Sequence, residues 1–329
     1  MINTGKPFAL NEQGRRNNNE DSIYPLQNEA DGTNRFFIVC DGMGGHEKGE
    51  VASRIVCDSF AAYLRDVPPC EFNETVFIQA LNHAYNQLDR ENDCPDPAKK
   101  MGTTLTFLYL NDKQAFMAHI GDSRIYHLRK NERGKTEIVY KSSDHSLVNE
   151  LLKAAVITQE EAERHPKKNM ITRVIQPNME KRSKAEICIT QDLQAGDRFF
   201  LCSDGVTESL TDAQLCDIAA GNDDEAMIKA IRTECEAYSH DNFSAWLVPV
   251  VDFIPPDEQS EIIPSCEQTE TLPADKVNPE EKAEITFPPR RTKKKSKTKR
   301  LILLLFLLAL LTLAAWFLCH GDGGIDITP

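Results

Sequence analysis

Leu301 to Cys319 is a run of nineteen residues without a charge, ten of them leucine. At about 1.5 Å of rise per residue such a helix spans roughly 28 Å, close to the hydrocarbon thickness of a bilayer. A core helix this apolar on every side would need a large surrounding domain, and only ten residues follow it. The run therefore reads as a membrane span. The segment before it, Arg290 to Arg300, carries eight positive charges, whereas Asp322 and Asp326 lie beyond its far end. The positive-inside rule then puts the basic side, and everything N-terminal to it, in the cytoplasm, with a single pass. The basic block could also meet anionic lipid heads, although a topology signal alone accounts for it.

The span fixes how the remainder divides. Residues 253–289 hold seven prolines, nine acids and two lysines. Such a segment cannot bury enough apolar surface to offset its chain entropy, so it is expected to be a disordered linker. As a coil its 37 residues would reach on the order of 30 Å. Residues 1–252 read as one globular domain, 290–300 as a juxtamembrane segment and 320–329 as a short extracytoplasmic tail. The net charge of -13 argues against nucleic acid as a partner, because phosphate backbones need a basic face. Met1 to Leu10 has no basic stretch followed by an apolar core, so no secretory signal is expected. The ten cysteines contain no Cys-x-x-Cys pair, and most lie in apolar runs. They read as reduced core residues, neither disulfides nor a zinc site.

Short runs rich in β-branched, aromatic or leucine residues predict strands at Arg35 to Cys40, Thr103 to Leu110, Ala115 to His119, Ile125 to Leu128, Arg198 to Cys202 and Ser244 to Val250. Asn111-Asp112 sits where a hairpin turn is needed. Asn73 is a plausible cap for a helix running to Arg90, in which Phe77, Leu81, Ala84 and Leu88 recur at helical spacing. Weaker periodicity predicts helices at Glu47 to Leu64 and Asp223 to Ala237. Strand runs separated from helix runs make the fold class α+β.

Acids recur at the ends of these strands. Asp41-Gly42 follows the first, Gly121-Asp122 joins two, Asp204-Gly205 follows another, and Asp241-Asn242 precedes the last. Glu20-Asp21 lies in a polar stretch upstream. An isolated Asp-Gly is ordinarily a turn and nothing more. Taken together, five acidic sites brought to one rim would repel unless they enclosed cations. Ligands made only of oxygen suit magnesium or manganese. A glycine would let the backbone come close enough for a carbonyl such as that of Gly42 to join them.

Eight segments then carry a specific resemblance. They are Gly14-Arg15-Arg16-Asn17-Asn18-Asn19-Glu20-Asp21-Ser22, Val39-Cys40-Asp41-Gly42-Met43-Gly44-Gly45-His46, Met101-Gly102-Thr103-Thr104-Leu105, His119-Ile120-Gly121-Asp122-Ser123-Arg124-Ile125-Tyr126, Ser143-Asp144-His145-Ser146, Ile171-Thr172-Arg173, Leu201-Cys202-Ser203-Asp204-Gly205 and Asp241-Asn242-Phe243-Ser244. In this order they resemble the motifs of the bacterial type 2C protein phosphatases, a metal-dependent serine/threonine family. The resemblance covers about residues 1 to 250.

It implies a four-layer αββα sandwich, two antiparallel sheets flanked by helices, with two or three Mn2+ or Mg2+ ions and phosphorylated proteins as substrates. Asp41 would bridge two metals, with the Gly42 carbonyl on one. Glu20 or Asp21, Asp204 and Asp241 would hold the pair, and Asp122 with Asp204 would hold a third, weaker ion. Arg16 matches the arginine that grips the substrate phosphate, while Arg15 reads as a surface residue. Residues Leu147 to Asn169 resemble a flap beside the site. The reaction implied is attack by a metal-bridging hydroxide on a phosphoryl group whose charge the same cations neutralise.

Two departures matter. Met43 stands where some members have a histidine that protonates the leaving group, so the general acid is unassigned. A metal-bound water near Asp122 and His46 are both candidates; His119 reads as a core residue. The glycine usual after Ile171-Thr172-Arg173 is missing. Two other functions stay open: a membrane-bound phosphopeptide adaptor that has lost catalysis, and a hydrolase of small phosphates. A membrane-associated serine/threonine kinase would suit as a partner, but no residue points to one.

Overall fold

Along Phe36 to Cys40, Phe37 and Val39 face one way and Ile38 and Cys40 the other, and all four are buried. A strand apolar on both faces must be covered on both. That demand organises the structure, a computed structural model that describes residues 2–44, 48–91, 101–168 and 170–253. The expected linker from residue 254 onward, the basic segment, the span 301–319 and the tail lie outside the described residues, as does His46. Among the described residues no helix is long and apolar enough to cross a membrane.

In chain order the elements among the described residues are β1 (Ile2–Thr4), β2 (Phe8–Glu12), β3 (Ser22–Tyr24), β4 (Phe36–Cys40), β5 (Gly42–Met43), α1 (Lys48–Leu64), α2 (Glu74–Glu91), β6 (Gly102–Thr103), β7 (Leu105–Leu110), β8 (Ala115–Ile120), β9 (Arg124–Lys130), β10 (Thr136–Lys141), α3 (Leu147–Lys153), α4 (Gln159–Glu163), β11 (Glu186–Thr190), β12 (Arg198–Cys202), α5 (Asp204–Ser209), α6 (Asp212–Ile218), α7 (Asp224–Tyr238) and β13 (Phe243–Phe253). One sheet runs β1-β13-β12-β9-β10, with β2 also paired to the long β13; the other runs β11-β8-β7-β4-β3. The pairings are antiparallel.

The inner faces meet through Phe37, Val39, Leu108, Met117, Phe199, Leu201, Trp246 and Val248. Trp246 lies edge-on to Phe37 with ring centroids 5.3 Å apart. Helices α1 and α2 cover the outer face of the second sheet through Val56, Phe60, Phe77 and Tyr85, against Phe107 and Phe116. Helices α6 and α7 cover the first through Leu215, Ile231 and Cys235, against Phe200 and Leu247. Each such large side chain taken fully out of water contributes about 1.5–3 kcal/mol. The α+β reading therefore holds, with helices outside two antiparallel sheets.

The predicted elements sit where expected, with two adjustments. Asn73 caps α2, its Oδ1 accepting the Val76 N–H at 3.1 Å, and Asn111 closes the β7–β8 turn by accepting the N–H groups of Lys113 and Gln114. The strand expected from Thr103 to Leu110 is broken at Thr104, because Gly102–Thr103 leaves the sheet to pair with Gly42–Met43. The last strand runs on to Phe253, since its far end pairs with Ile2–Thr4.

Candidate active site

Register brings the acids together. Cys202 pairs with Ala245 on one side and Arg124 on the other. Asp204, Asp241 and Asp122 therefore leave the first sheet at one edge. In the second sheet Ser22 pairs with Cys40, so Asp21 and Asp41 emerge side by side. The two edges abut, and the carboxylates act on one another. Loss of water pushes Asp41 well above the ordinary carboxylate range, and the charges of Asp21, Asp204 and Asp122 push it further. Asp21 is pushed up to about 7 by burial; the Ser203 and Ser244 hydroxyls oppose this, while Asp204 and Asp241 add to it. Asp122 rises to about 7 through burial, then through Asp204 and Asp144. Asp204 is raised by burial and by Asp241, while a hydrogen bond from Asp41 offsets part of this.

Such a cluster fits cations on two counts. Its donors are hard oxygens, the set that Mg2+ and Mn2+ prefer. One buried carboxylate oxygen on each of Asp122 and Asp204 has no hydrogen-bond partner in the protein. Such an orphan is costly unless a ligand satisfies it.

The backbone is shaped to hold these acids. The Asp41 N–H donates to Thr104 Oγ1 at 3.0 Å, and the Asp41 carbonyl accepts from the Thr104 N–H and the Thr103 hydroxyl, both at 2.9 Å. The Gly42 N–H donates to the Glu20 carbonyl at 3.1 Å. A Cβ on Gly42 would lie 2.3 Å from the Gly49 carbonyl oxygen and 2.4 Å from that of Glu20, so only glycine fits. Gly121 takes φ +106°, a turn that L side chains resist, and aims Asp122 inward. Ser203 stands at the cap position of α5 but makes no side-chain cap; its hydroxyl donates instead to Asp21 Oδ2 at 2.8 Å.

Asn242 holds the loop that carries Arg16. Its Nδ2 donates to the carbonyls of Gln13 at 2.7 Å and Asn18 at 2.8 Å, and its Oδ1 accepts the Glu20 N–H at 2.9 Å. Arg16 is exposed and bonds Asp241 Oδ2. Glu20 and Asp21 occupy different places: Asp21 is buried behind Ser203, whereas the half-buried Glu20 carboxylate accepts from Asn18 Nδ2 at 3.3 Å. Thus the structure brings together Arg16, Glu20, Asp21, Asp41, Gly42, Asp122, Asp204 and Asp241. Arg15 instead turns away to the Ala237 carbonyl.

A cleft of ≈ 730 Å³ runs from Arg16, Asp204 and Asp241 past Asp122 to Val148, Leu152 and Ala162 on α3 and α4. These short helices are the expected flap. Ser146 and Thr158 cap them. Arg124 clamps Asp144 at the flap's base with two bonds of 2.7 Å. Where the family's glycine is missing, Ile175 exchanges both backbone bonds with Thr103 at 2.9 Å and anchors the flap's return.

The family model described as Protein phosphatase 2C matches residues 13–249. The chain belongs to the protein phosphatase 2C family. It is similar to Protein phosphatase PhpP of Streptococcus pneumoniae, at 37% identity over 213 residues, 63% of this chain and 81% of that one. The crystal structure of the Mycobacterium tuberculosis serine/threonine phosphatase PstP/Ppp superposes with a TM-score of 0.65 at 27% identity, covering 75% of this chain and 99% of that one. A second structure, the PstP catalytic domain in complex with two manganese ions, gives a TM-score of 0.62 at 27% identity, over 76% and 99% of the two chains. As a protein phosphatase 2C the chain is a protein serine/threonine phosphatase with Mn2+ or Mg2+ as its cofactor.

A separate group, His119, His145 and Glu186, has its ligand-type atoms within 4.8 Å of one another. Its chemistry does not suit an ion. The Gly121 N–H donates to His145 Nδ1, which leaves the proton on Nε2, and the Arg173 guanidinium stands 3.2 Å from that same nitrogen. His119 Nε2 is engaged with the Ser143 carbonyl at 2.9 Å, and the two rings stack. Burial holds both imidazoles below their ordinary pKa, His145 at about 4. This histidine pair joins the Asp122 turn to the flap base in this protein phosphatase 2C.

Proposed function

We infer that this chain dephosphorylates phosphoserine and phosphothreonine in proteins while held at the cytoplasmic face of a membrane by Leu301–Cys319. The observation that carries the catalytic half is the convergence of five aspartates, two with orphaned buried oxygens, beside the exposed Arg16. Asp41, placed among Asp21, Asp122 and Asp204, would be shared between two cations, with Asp204 and Asp241 completing the set and Glu20 at its edge. Asp122 with Asp204 would hold a third. When bound, the cations supply an activated water and neutralise charge on the phosphoryl oxygens. Arg16 would orient the phosphate with two of its guanidinium N–H groups, exchanging its bond to Asp241 for bonds to substrate. Asp21 would hold the Ser203 turn, and through it Asp204, in place.

A cleft that continues from the acids to α3 and α4 favours a peptide over a small phosphate, which would need only the acidic end. An adaptor without catalysis would gain nothing from carboxylates kept together against their repulsion. The membrane half rests on the uncharged run and the eight positive charges before it. One preparation tests both halves. The full chain in washed membranes should release phosphate from phosphoserine peptides with Mn2+ and stop with excess chelator. Undiminished turnover in chelator refutes the metal reading. Release of the protein by carbonate refutes the anchor and leaves the catalytic reading standing.

A further inference from the structure

Three cationic side chains of Lys or Arg line the catalytic cleft among the described residues: Arg16, Arg124 and Lys168. Arg16 is bound to Asp241, and Arg124 is clamped on Asp144. Lys168 forms no ion pair among the described residues. It is exposed, on the flap wall, in a chain of net charge -13 whose acids crowd the other end of the same cleft. Lys168 also lines a second, shallower hollow of ≈ 450 Å³ with His165, Pro166, Lys167 and Met170. Among the described residues that line these two concavities, it is the one they share.

The turn that presents Lys168 is tied down. Its own N–H donates to the His165 carbonyl at 3.1 Å, the Lys167 N–H to His165 Nδ1 at 3.1 Å, and the Met170 N–H to the Lys167 carbonyl at 3.1 Å. Met170 in turn accepts the Leu147 N–H at 2.9 Å, which fixes the turn to the start of α3. The backbone under Lys168 is therefore held, while its ammonium remains a mobile point charge. A peptide whose phosphorylated residue sits at Arg16 and the acids must leave the cleft, and a chain following α3 and α4 would pass Lys168.

We propose that Lys168 is a specificity-determining residue that receives an anionic side chain flanking the phosphorylated residue, so that acidic phosphopeptides are preferred substrates. This rests on the phosphatase reading. The anion is a carboxylate or a second phosphate, both of which a lysine meets as a point charge. The hollow also carries Lys167, a second positive charge on the same turn.

The test uses the full chain in detergent with Mn2+ and phosphothreonine peptides that share one core. In one pair the flanks carry glutamates or glutamines; in the other, a second phosphothreonine or a threonine. The readout is the kcat/KM ratio within each pair. The wild type should favour the anionic member by about 2- to 5-fold, the upper part of the range for one exposed ion pair. Lys168→Ala should bring that ratio close to one, Lys168→Glu should invert it, and Lys168→Arg should restore it. Inversion is a result that unfolding cannot produce. Loss of preference in the first pair identifies a carboxylate, in the second a phosphate. A ratio that is the same in the wild type and all variants, in both pairs, overturns the proposal. No Mn2+-dependent turnover of any peptide, the glutamine one included, would instead be a failure of the phosphatase reading.

Discussion

Replacing Asp122 with asparagine should stabilise the metal-free protein at neutral pH, although it removes a proposed metal ligand. The Asp122 carboxyl rises from 3.8 to about 7 in the fold, chiefly through burial. Between those values the native state keeps a proton that the unfolded chain has lost. The contribution to stability is therefore unchanged at low pH and declines as pH climbs from about 4 to about 7. At ~1.4 kcal/mol per tenfold change in proton affinity, the gap caps the cost at ~4 kcal/mol. Asp122 is only half-buried by surface exposure, so solvent relieves part of this, and about 2 kcal/mol is the expected cost. Asparagine, always neutral, escapes it. For a unit of this size that is a rise in Tm of about 4–8 °C. The assay is calorimetry of the full chain in excess chelator, wild type against Asp122→Asn, at pH 5.0 and 7.5. The gain should be large at pH 7.5 and small at pH 5.0. His119 and His145 titrate with the opposite sign over part of this range, but they are common to both proteins and cancel in the difference. In millimolar Mn2+ the gain should vanish, since a bound cation would then compensate the buried Asp122 charge. A gain of equal size at both pH values, or none at pH 7.5, would refute the electrostatic reasoning.

Three other substitutions probe the site. Asp41→Asn should lower kcat on the order of 10³-fold with Mn2+ present; near-normal turnover of a phosphoserine peptide would sink its role as the shared carboxylate. Arg16→Ala should raise KM by roughly 10-fold or more through loss of a charged hydrogen-bonding clamp. Because Arg16 also bonds Asp241, the Mn2+ concentration for half-maximal rate should shift too, and a KM effect alone would show that the ion pair is not felt by the metals. Asn242→Ala should cost about 3 kcal/mol, at ~1 kcal/mol for each of its three bonds to the Arg16 loop; a change in urea midpoint within error would mean that this loop is held by other contacts.

Strands that must be apolar on one or both faces announced themselves. Phe36–Cys40 and Arg198–Cys202 are recognisable because burial leaves no freedom of composition, and Asn73 was legible as a cap because its bond is local. The break at Thr104 was not. A run of threonines and leucine favours a strand by propensity, and only the pairing of Gly102–Thr103 with Gly42–Met43 takes it out of the sheet. Ser203 stands at the cap position of α5, where its residue type ordinarily caps the helix locally. Its actual bond is to Asp21, 182 positions away in the chain. Nor did any spacing mark Lys168, whose interest lies in the cleft that it lines and in the partner that it lacks among the described residues.

The sequence alone determined the ingredients: acids at strand ends, the arginine before Glu20, the composition shifts that set a leucine-rich run apart from a globular part, and the family to which these belong. Each is written in a few consecutive residues, where propensity and charge act over short range. Only the tertiary structure decided that the acids share one rim and that Asp21 lies behind Ser203 while Glu20 stays half-buried at the edge. It alone decided that Arg16 leans on Asp241, and which cation in the cleft is without an ion pair among the described residues. Those outcomes depend on the register of strands far apart in the chain and on how two sheets stack. Stacking energy comes from side chains distant in sequence, so no local pattern encodes it.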